Sequence, residues 1–205
     1  MIPNAPLPLG LLVVASYLLG AIPCGLLIAR LKGVDLRQTG SGNIGATNVY
    51  RCVGKGWGFA AFALDALKGF APAFFFPRLV AAAPGWLGLA CGAAAIAGHN
   101  WPVWLGFKGG KGVSTSAGML LGVAPAAAGI GFAVFAAAVA ATRFVSVGSM
   151  LAAIAVPAAG FWLYWPENKV LAGALVLMGA LVVVKHRANV RRLLAGTEPR
   201  IFGQK

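Results

Sequence analysis

The chain has almost no acidic side chains. Its 205 residues hold four, Asp35, Asp65, Glu167 and Glu198, against 17 lysines and arginines, for a formal net charge of +13. Charged residues make up only 10% of the sequence and hydrophobic ones 60%, too little polar surface for a soluble domain of this length. Cysteine is sparse as well. Cys24, Cys52 and Cys91 form no CxxC pair, which argues against a disulfide framework or a metal site. Cys52 has no histidine beside it in sequence to activate it as a nucleophile. No lysine or arginine precedes Arg30, so the first apolar run lacks the basic start of a secretory signal. At 9–29 it is long enough to span a bilayer and reads as an uncleaved first helix. Ten-residue segments of alternating hydrophobicity are missing, which excludes a transmembrane β-barrel. No polar linker is long enough to separate one domain from another, and no internal repeat is evident.

What the chain does have is a mean hydropathy of +0.83 and apolar runs near 9–29, 57–76, 84–98, 113–123, 125–141, 147–164 and 169–184. Alanine and glycine are abundant throughout, as in closely packed membrane helices. The stretch 113–141 is short for two crossings, which want roughly 40 residues, and the charge pattern decides the count. Apart from Lys68, Arg78 and Lys169, every lysine and arginine lies in one of four segments: Arg30 to Lys55, Lys108 with Lys111, Arg143, and Lys185 to Lys205. The positive-inside rule places all four on one side only if 113–141 turns back near Pro125. The expected fold is therefore an all-α integral membrane protein, a seven-transmembrane helical bundle with the N-terminus external and the C-terminus cytoplasmic. It forms a single membrane-embedded domain over 1–205, with cytoplasmic motif loops 30–56, 99–112, 142–149 and 185–205. Nucleic acid is not an expected partner, because its readers gather cations on a soluble face. Here the cations sit between spans, where anionic lipid attracts them.

Three polar blocks interrupt the apolar runs. The first runs from Gly40 through Ser41, Gly42, Asn43, Gly45, Thr47 and Asn48 to Arg51. Its glycines allow positive φ, which turns backbone N–H groups toward an anion. Ser41, Asn43, Thr47 and Asn48 add neutral donors, and Arg51 can grip phosphate or carboxylate bidentately. The competing reading is a flexible connector. The second block is His99-Asn100-Trp101-Pro102 followed by Lys108-Gly109-Gly110-Lys111-Gly112-Val113-Ser114-Thr115. It fails the Walker pattern, since Gly112 stands where Ser or Thr must follow Gly-Lys. It reads as a lysine-glycine anion cradle feeding a helix that Ser114 or Thr115 can cap, or else as a basic topogenic loop. The third block is His186-Arg187-Ala188-Asn189 with Arg191, Arg192 and Glu198. If helical, His186 and Asn189 share a face. Glu198, the tail's one acidic residue, is a candidate tether for a cation or an orienter of a catalytic loop. Elsewhere, Asp65 and Lys68 read as a structural pair within a span. Ser146 and Ser149 offer hydroxyls to a site or cap a helix. Trp101, Trp104, Trp162 and Trp165 fit interfacial belts.

These three blocks, in this order, resemble the bacterial acyl-phosphate:glycerol-3-phosphate acyltransferases, the PlsY family. The likeness covers nearly the whole chain, with Ala188 and Val190 departing from the usual pattern at flanking positions. The resemblance implies transfer of an acyl group from acyl phosphate to the 1-hydroxyl of glycerol 3-phosphate. The products are 1-acylglycerol 3-phosphate (lysophosphatidic acid) and phosphate, in the first acylation of bacterial phospholipid synthesis. It implies catalytic roles for Ser41, Lys111, His186 and Asn189, and substrate binding by these together with Asn43, Thr47, Arg51, Gly110, Ser149 and Glu198. It implies no cofactor and no metal. The expected partners are glycerol 3-phosphate, a long-chain acyl phosphate and membrane lipid, with no obligatory protein partner. The expected location is the bacterial plasma (inner) membrane, multi-pass, with the active site facing the cytoplasm.

The residues themselves agree with that chemistry, because two phosphorylated substrates account for the wealth of cations and glycines. The His-x4-Asp motif shared by other glycerolipid acyltransferases is absent: the fifth residue after His99 is Trp104, and after His186 it is Arg191. An acyl phosphate is already activated, so direct attack by the hydroxyl, without an acyl-enzyme, needs mainly positioning and charge stabilisation. His186 or a substrate phosphate oxygen takes the proton. Two other classes compete. A transporter for an anionic solute would place its site at the midplane of repeated halves. A non-catalytic lipid-binding subunit would not need such dense Ser, Asn, Gly and His blocks.

Overall fold

The computed structural model describes residues 8–201; the first seven residues and 202–205, with the tail's Lys205, lie outside that range. Among the described residues the regular structure is helical. The chain divides into two compact units, Met1–Val123 and Ala124–Lys205.

In the first unit, α1 (Leu9–Ala21) and α2 (Cys24–Leu31) are separated at Pro23, which has no N–H to continue the ladder. Helix α2 closes in a Schellman turn: Gly33, at φ +71°, donates to Arg30 O, and Val34 donates to Ala29 O. Glycine supplies the left-handed conformation that this turn requires. Next come α3 (Ala46–Cys52), α4 (Lys55–Phe75), α5 (Leu87–Asn100) and α6 (Val113–Val123). Helix α4 packs on α6, and α1 on α5. Small residues make these approaches possible. A methyl at Gly118 would fall on Ala66 O of α4, and one at Gly69 on Thr115 O of α6. Both obstacles are backbone atoms and cannot swing aside. Gly118→Ala is accordingly expected to cost ~2 kcal/mol of stability through overpacking, read as a lowered unfolding midpoint in detergent. Gly129→Ala, whose added methyl meets open space, serves as the control.

The second unit holds α7 (Pro125–Thr142), α8 (Val145–Tyr164), α9 (Lys169–Lys185) and α10 (Arg187–Leu194). Pro125 occupies the first turn of α7, where its missing N–H costs nothing. Arg143, at φ +64°, ends α7. Helix α8 packs against both α7 and α9, and the Asn168 side chain caps α9 by accepting from Leu171 N at 3.0 Å.

The expectation of seven crossings is not met. Among the described residues, four helical stretches are long and apolar enough to cross a membrane: Leu9–Leu31, Lys55–Leu79, Pro125–Thr142 and Val145–Tyr164. A fifth exists if α9 and α10, bent by 50° at their junction, count as one. Helices α5 and α6 hold 14 and 11 residues. At 1.5 Å per residue they reach about 21 and about 16 Å, short of a hydrocarbon core of about 30 Å. The orientation of the termini was inferred from that count of seven.

Candidate active site

The first unit builds its polar loop around a buried asparagine. Asn48, near the start of α3, donates from Nδ2 to Leu36 O at 3.2 Å and Thr39 O at 3.0 Å, while its Oδ1 accepts from Ser41 N at 3.0 Å. Gly40, at φ +64°, passes so close to Asn48 Oδ1 and Cys52 Sγ that a methyl there would collide with both. Asn43 Oδ1 accepts from Gly45 N at 2.9 Å, a local turn that leads the chain into α3. These bonds hold Ser41, Asn43 and Thr47 half-buried on one loop, with Arg51 a helical turn beyond Thr47. Burial pushes the Cys52 thiol above its ordinary pKa, and the Arg51 charge only partly offsets this. A thiol so placed is a poor nucleophile.

The second polar loop lies over the C-terminal end of α5. Gly110 N donates to His99 O at 3.0 Å, and a methyl on Gly110 would strike the His99 ring. Gly112, at φ +77°, sits where a methyl would come within 2.8 Å of Asn100 Oδ1. Ser114 and Thr115 lie inside α6 and do not cap it. Gly112 stands in front of the helix, its carbonyl accepting from Ser116 N at 2.7 Å. Lys111 projects half-buried from this loop. Arg37 Nη2 donates to Lys108 O at 3.0 Å, which ties the first loop to the second.

In the second unit the tail folds back as a strap. Glu198 is buried, and its carboxylate is surrounded by protein donors. Oε1 accepts from Ser146 Oγ and from Asn189 Nδ2, each at 2.7 Å, and Oε2 accepts from Arg192 Nε at 2.7 Å. Further along the tail, Ile201 N donates to Arg143 O at 2.8 Å, and the Arg200 guanidinium lies over the Phe144 ring. His186 sits at the bend between α9 and α10, buried, with Nδ1 2.8 Å from Val182 O. A carbonyl only accepts, so Nδ1 carries a hydrogen, and in the neutral tautomer the lone pair lies on Nε2. Ser149 is buried on α8, with its hydroxyl donating to Val145 O at 2.9 Å.

Burial alone would raise the Glu198 pKa. The hydrogen bonds from Asn189, Ser146 and Arg192, together with the Arg192 charge, more than reverse this and hold it below the usual carboxylate range. A carboxylate lowered on folding stabilises the fold above its unfolded pKa, about 4.3. That contribution is lost as the pH falls from there toward the folded value. The native protein is expected to lose thermal stability below about pH 4.3 more steeply than Glu198→Gln; parallel acid profiles would remove the assignment.

The structure thus brings Ser41, Asn43, Thr47, Arg51, Gly110 and Lys111 onto two linked loops of the first unit, and Ser149, His186, Asn189 and Glu198 into the second. Ser146, only an alternative in the sequence, turns out to grip Glu198. Its position one helical turn before the similarly buried Ser149 is the sequence signal for a shared inner face. The four tryptophans read as belt residues, Trp101, Trp104, Trp162 and Trp165, are all exposed.

Apolar helices with exposed hydrophobic faces and polar side chains gathered at their ends define a multi-pass integral membrane protein. Residues 10–196 match the family described as glycerol-3-phosphate acyltransferase. A glycerol-3-phosphate acyltransferase of Geobacter sulfurreducens is 47% identical over 190 residues, covering 93% of this chain and 96% of that one. The crystal structure of PlsY (YgiH), an integral membrane glycerol 3-phosphate acyltransferase in its glycerol 3-phosphate form, superposes with a TM-score of 0.87 at 43% identity. The match covers 95% of this chain and 96% of that one. The lysophosphatidic acid form of the same enzyme gives 0.84 at 42% identity, covering 95% of each. The chain belongs to the glycerol-3-phosphate acyltransferase family.

Proposed function

We propose that this chain transfers the acyl group of a long-chain acyl phosphate to the 1-hydroxyl of glycerol 3-phosphate, releasing lysophosphatidic acid and inorganic phosphate. The observation that carries the reading is the likeness over 95% of the chain to an acyltransferase solved with glycerol 3-phosphate and with lysophosphatidic acid. The loops of the first unit suit two phosphorylated substrates. Ser41 orients a phosphate or the attacking hydroxyl; Asn43, Thr47 and the Gly110 backbone donate to phosphate oxygens; Arg51 and Lys111 neutralise substrate charge. In the second unit Ser149 adds a hydroxyl, and Glu198 holds Asn189 and Arg192 in place.

The acceptor's hydroxyl oxygen attacks the acyl carbonyl carbon. The bond from that carbon to the phosphate oxygen breaks, and phosphate departs with the electron pair. The hydroxyl proton passes to His186 Nε2, with Nδ1–H directed at Val182 O. The raised Cys52 thiol supports direct transfer, with no acyl-enzyme. Cys52→Ser is expected to keep turnover within threefold or so of native; its abolition in folded protein would bring an acyl-cysteine back. The active site faces the cytoplasm of the bacterial inner membrane, where water-soluble glycerol 3-phosphate is available. Inverted vesicles should therefore acylate added glycerol 3-phosphate, and sealed right-side-out vesicles should not. Purified protein offered acyl phosphate, acyl-CoA and acyl carrier protein thioester in parallel should turn over only the first. Turnover with a thioester alone would overturn the donor assignment.

A further inference from the structure

Beneath the second polar loop lies a buried charge cluster that the reaction above does not use. Asp65 and Lys68, one helical turn apart on α4, are paired at 2.8 Å from Asp65 Oδ1 to Lys68 Nζ. His99 Nδ1, on α5, lies 3.6 Å from the same carboxylate oxygen. The side chains of all three are at most 7% exposed. Lys68 Nζ also donates to Ile22 O at 2.7 Å, at the break that Pro23 makes in the first span. The cluster borders a crevice whose lining includes Cys24, Ile44 and Pro102. Charges so deep in a membrane helix are costly unless they do something, and pairing two of them explains neither the third member nor its place.

That place is under Gly110. The His99 carbonyl receives the Gly110 N–H, and the His99 ring fills the space where a Gly110 side chain would stand. Gly109 is pressed as closely against His99 O and the Pro102 ring. The backbone that presents Lys111 is therefore laid on His99, whose Nδ1 faces the Asp65 carboxylate on the far side, 3.6 Å away. We propose that Asp65, held by Lys68, is a positioning residue for the anion loop, acting through His99 to set Gly110 and Lys111 for a substrate phosphate. The inference rests on the phosphate-binding role assigned to that loop.

The test separates positioning from simple charge balance. Asp65→Ala/Lys68→Met removes both charges together and leaves no unpaired ion. Asp65→Asn keeps the shape and serves as the second variant should the double variant not fold. Binding of labelled glycerol 3-phosphate to the purified protein is measured beside its unfolding midpoint and steady-state kinetics. Positioning predicts an unfolding midpoint near native, with Kd and KM raised about tenfold and kcat nearly unchanged. Native affinity in either folded variant overturns the proposal, as does affinity lost only in proportion to lost folded protein. A native protein that binds glycerol 3-phosphate yet makes no acylated product fails the proposed reaction alone, and the comparison of Kd values still decides the positioning role.

Discussion

His186→Ala is expected to lower kcat a hundredfold or more at saturating concentrations of both substrates, with a much smaller change in KM. General-base transfer contributes typically 10²–10⁴ in rate, and the His186 ring is set up for it. Its Nδ1–H is fixed on Val182 O at 2.8 Å, one turn back along α9, which selects the tautomer with the lone pair on Nε2. The residue stands at the bend between two helices. Full turnover in folded His186→Ala protein would move the proton transfer to a substrate phosphate oxygen.

Lys111→Ala and Arg51→Ala should each lower kcat/KM by about 10²–10³, the usual cost of removing one donor aimed at developing charge. Lys111→Arg should restore only a fraction of the loss, because a planar, delocalised guanidinium does not reproduce a compact ammonium. The loop fold makes this more than a loss of attraction. Gly110 and Gly112 let the backbone lie directly on His99 and Asn100, so Lys111 projects from a segment with little freedom to compensate. A twofold change or less in both variants would show that these cations serve membrane topology alone.

The helix positions were largely legible from apolar runs. The run at 113–123 is α6 to the residue, and Pro125 marks the start of α7. The number of crossings was not legible. The run at 84–98 looks like a span because apolar composition continues through it, yet the helix there is α5, which begins at Leu87 and is too short to cross. Charge counting then forced seven crossings onto runs that differ in length. Within the loops, sequence supplied the residue types but not which donors face inward. Asn48 reads as one more phosphate donor, whereas three of its hydrogen bonds organise the loop itself. The Asp65–Lys68 pair follows from helical spacing. The arrival of His99 does not, since it depends on how α5 packs against α4. Glu198 stood out in the sequence as a lone acid in a basic tail, a tether for a cation or an orienter of a loop. That it closes on Ser146, some 50 positions earlier, is a tertiary fact.

The central claim is acyl transfer between two phosphorylated substrates. Its most direct test reconstitutes the purified protein in liposomes with palmitoyl phosphate and labelled glycerol 3-phosphate, and follows the label into both the lipid phase and the vesicle interior. Labelled lysophosphatidic acid is expected with an equal release of phosphate, cut about a hundredfold or more in Ser41→Ala and Lys111→Ala. Label that accumulates inside the vesicles as unchanged glycerol 3-phosphate, with no acylated product, would contradict it and make the protein a transporter.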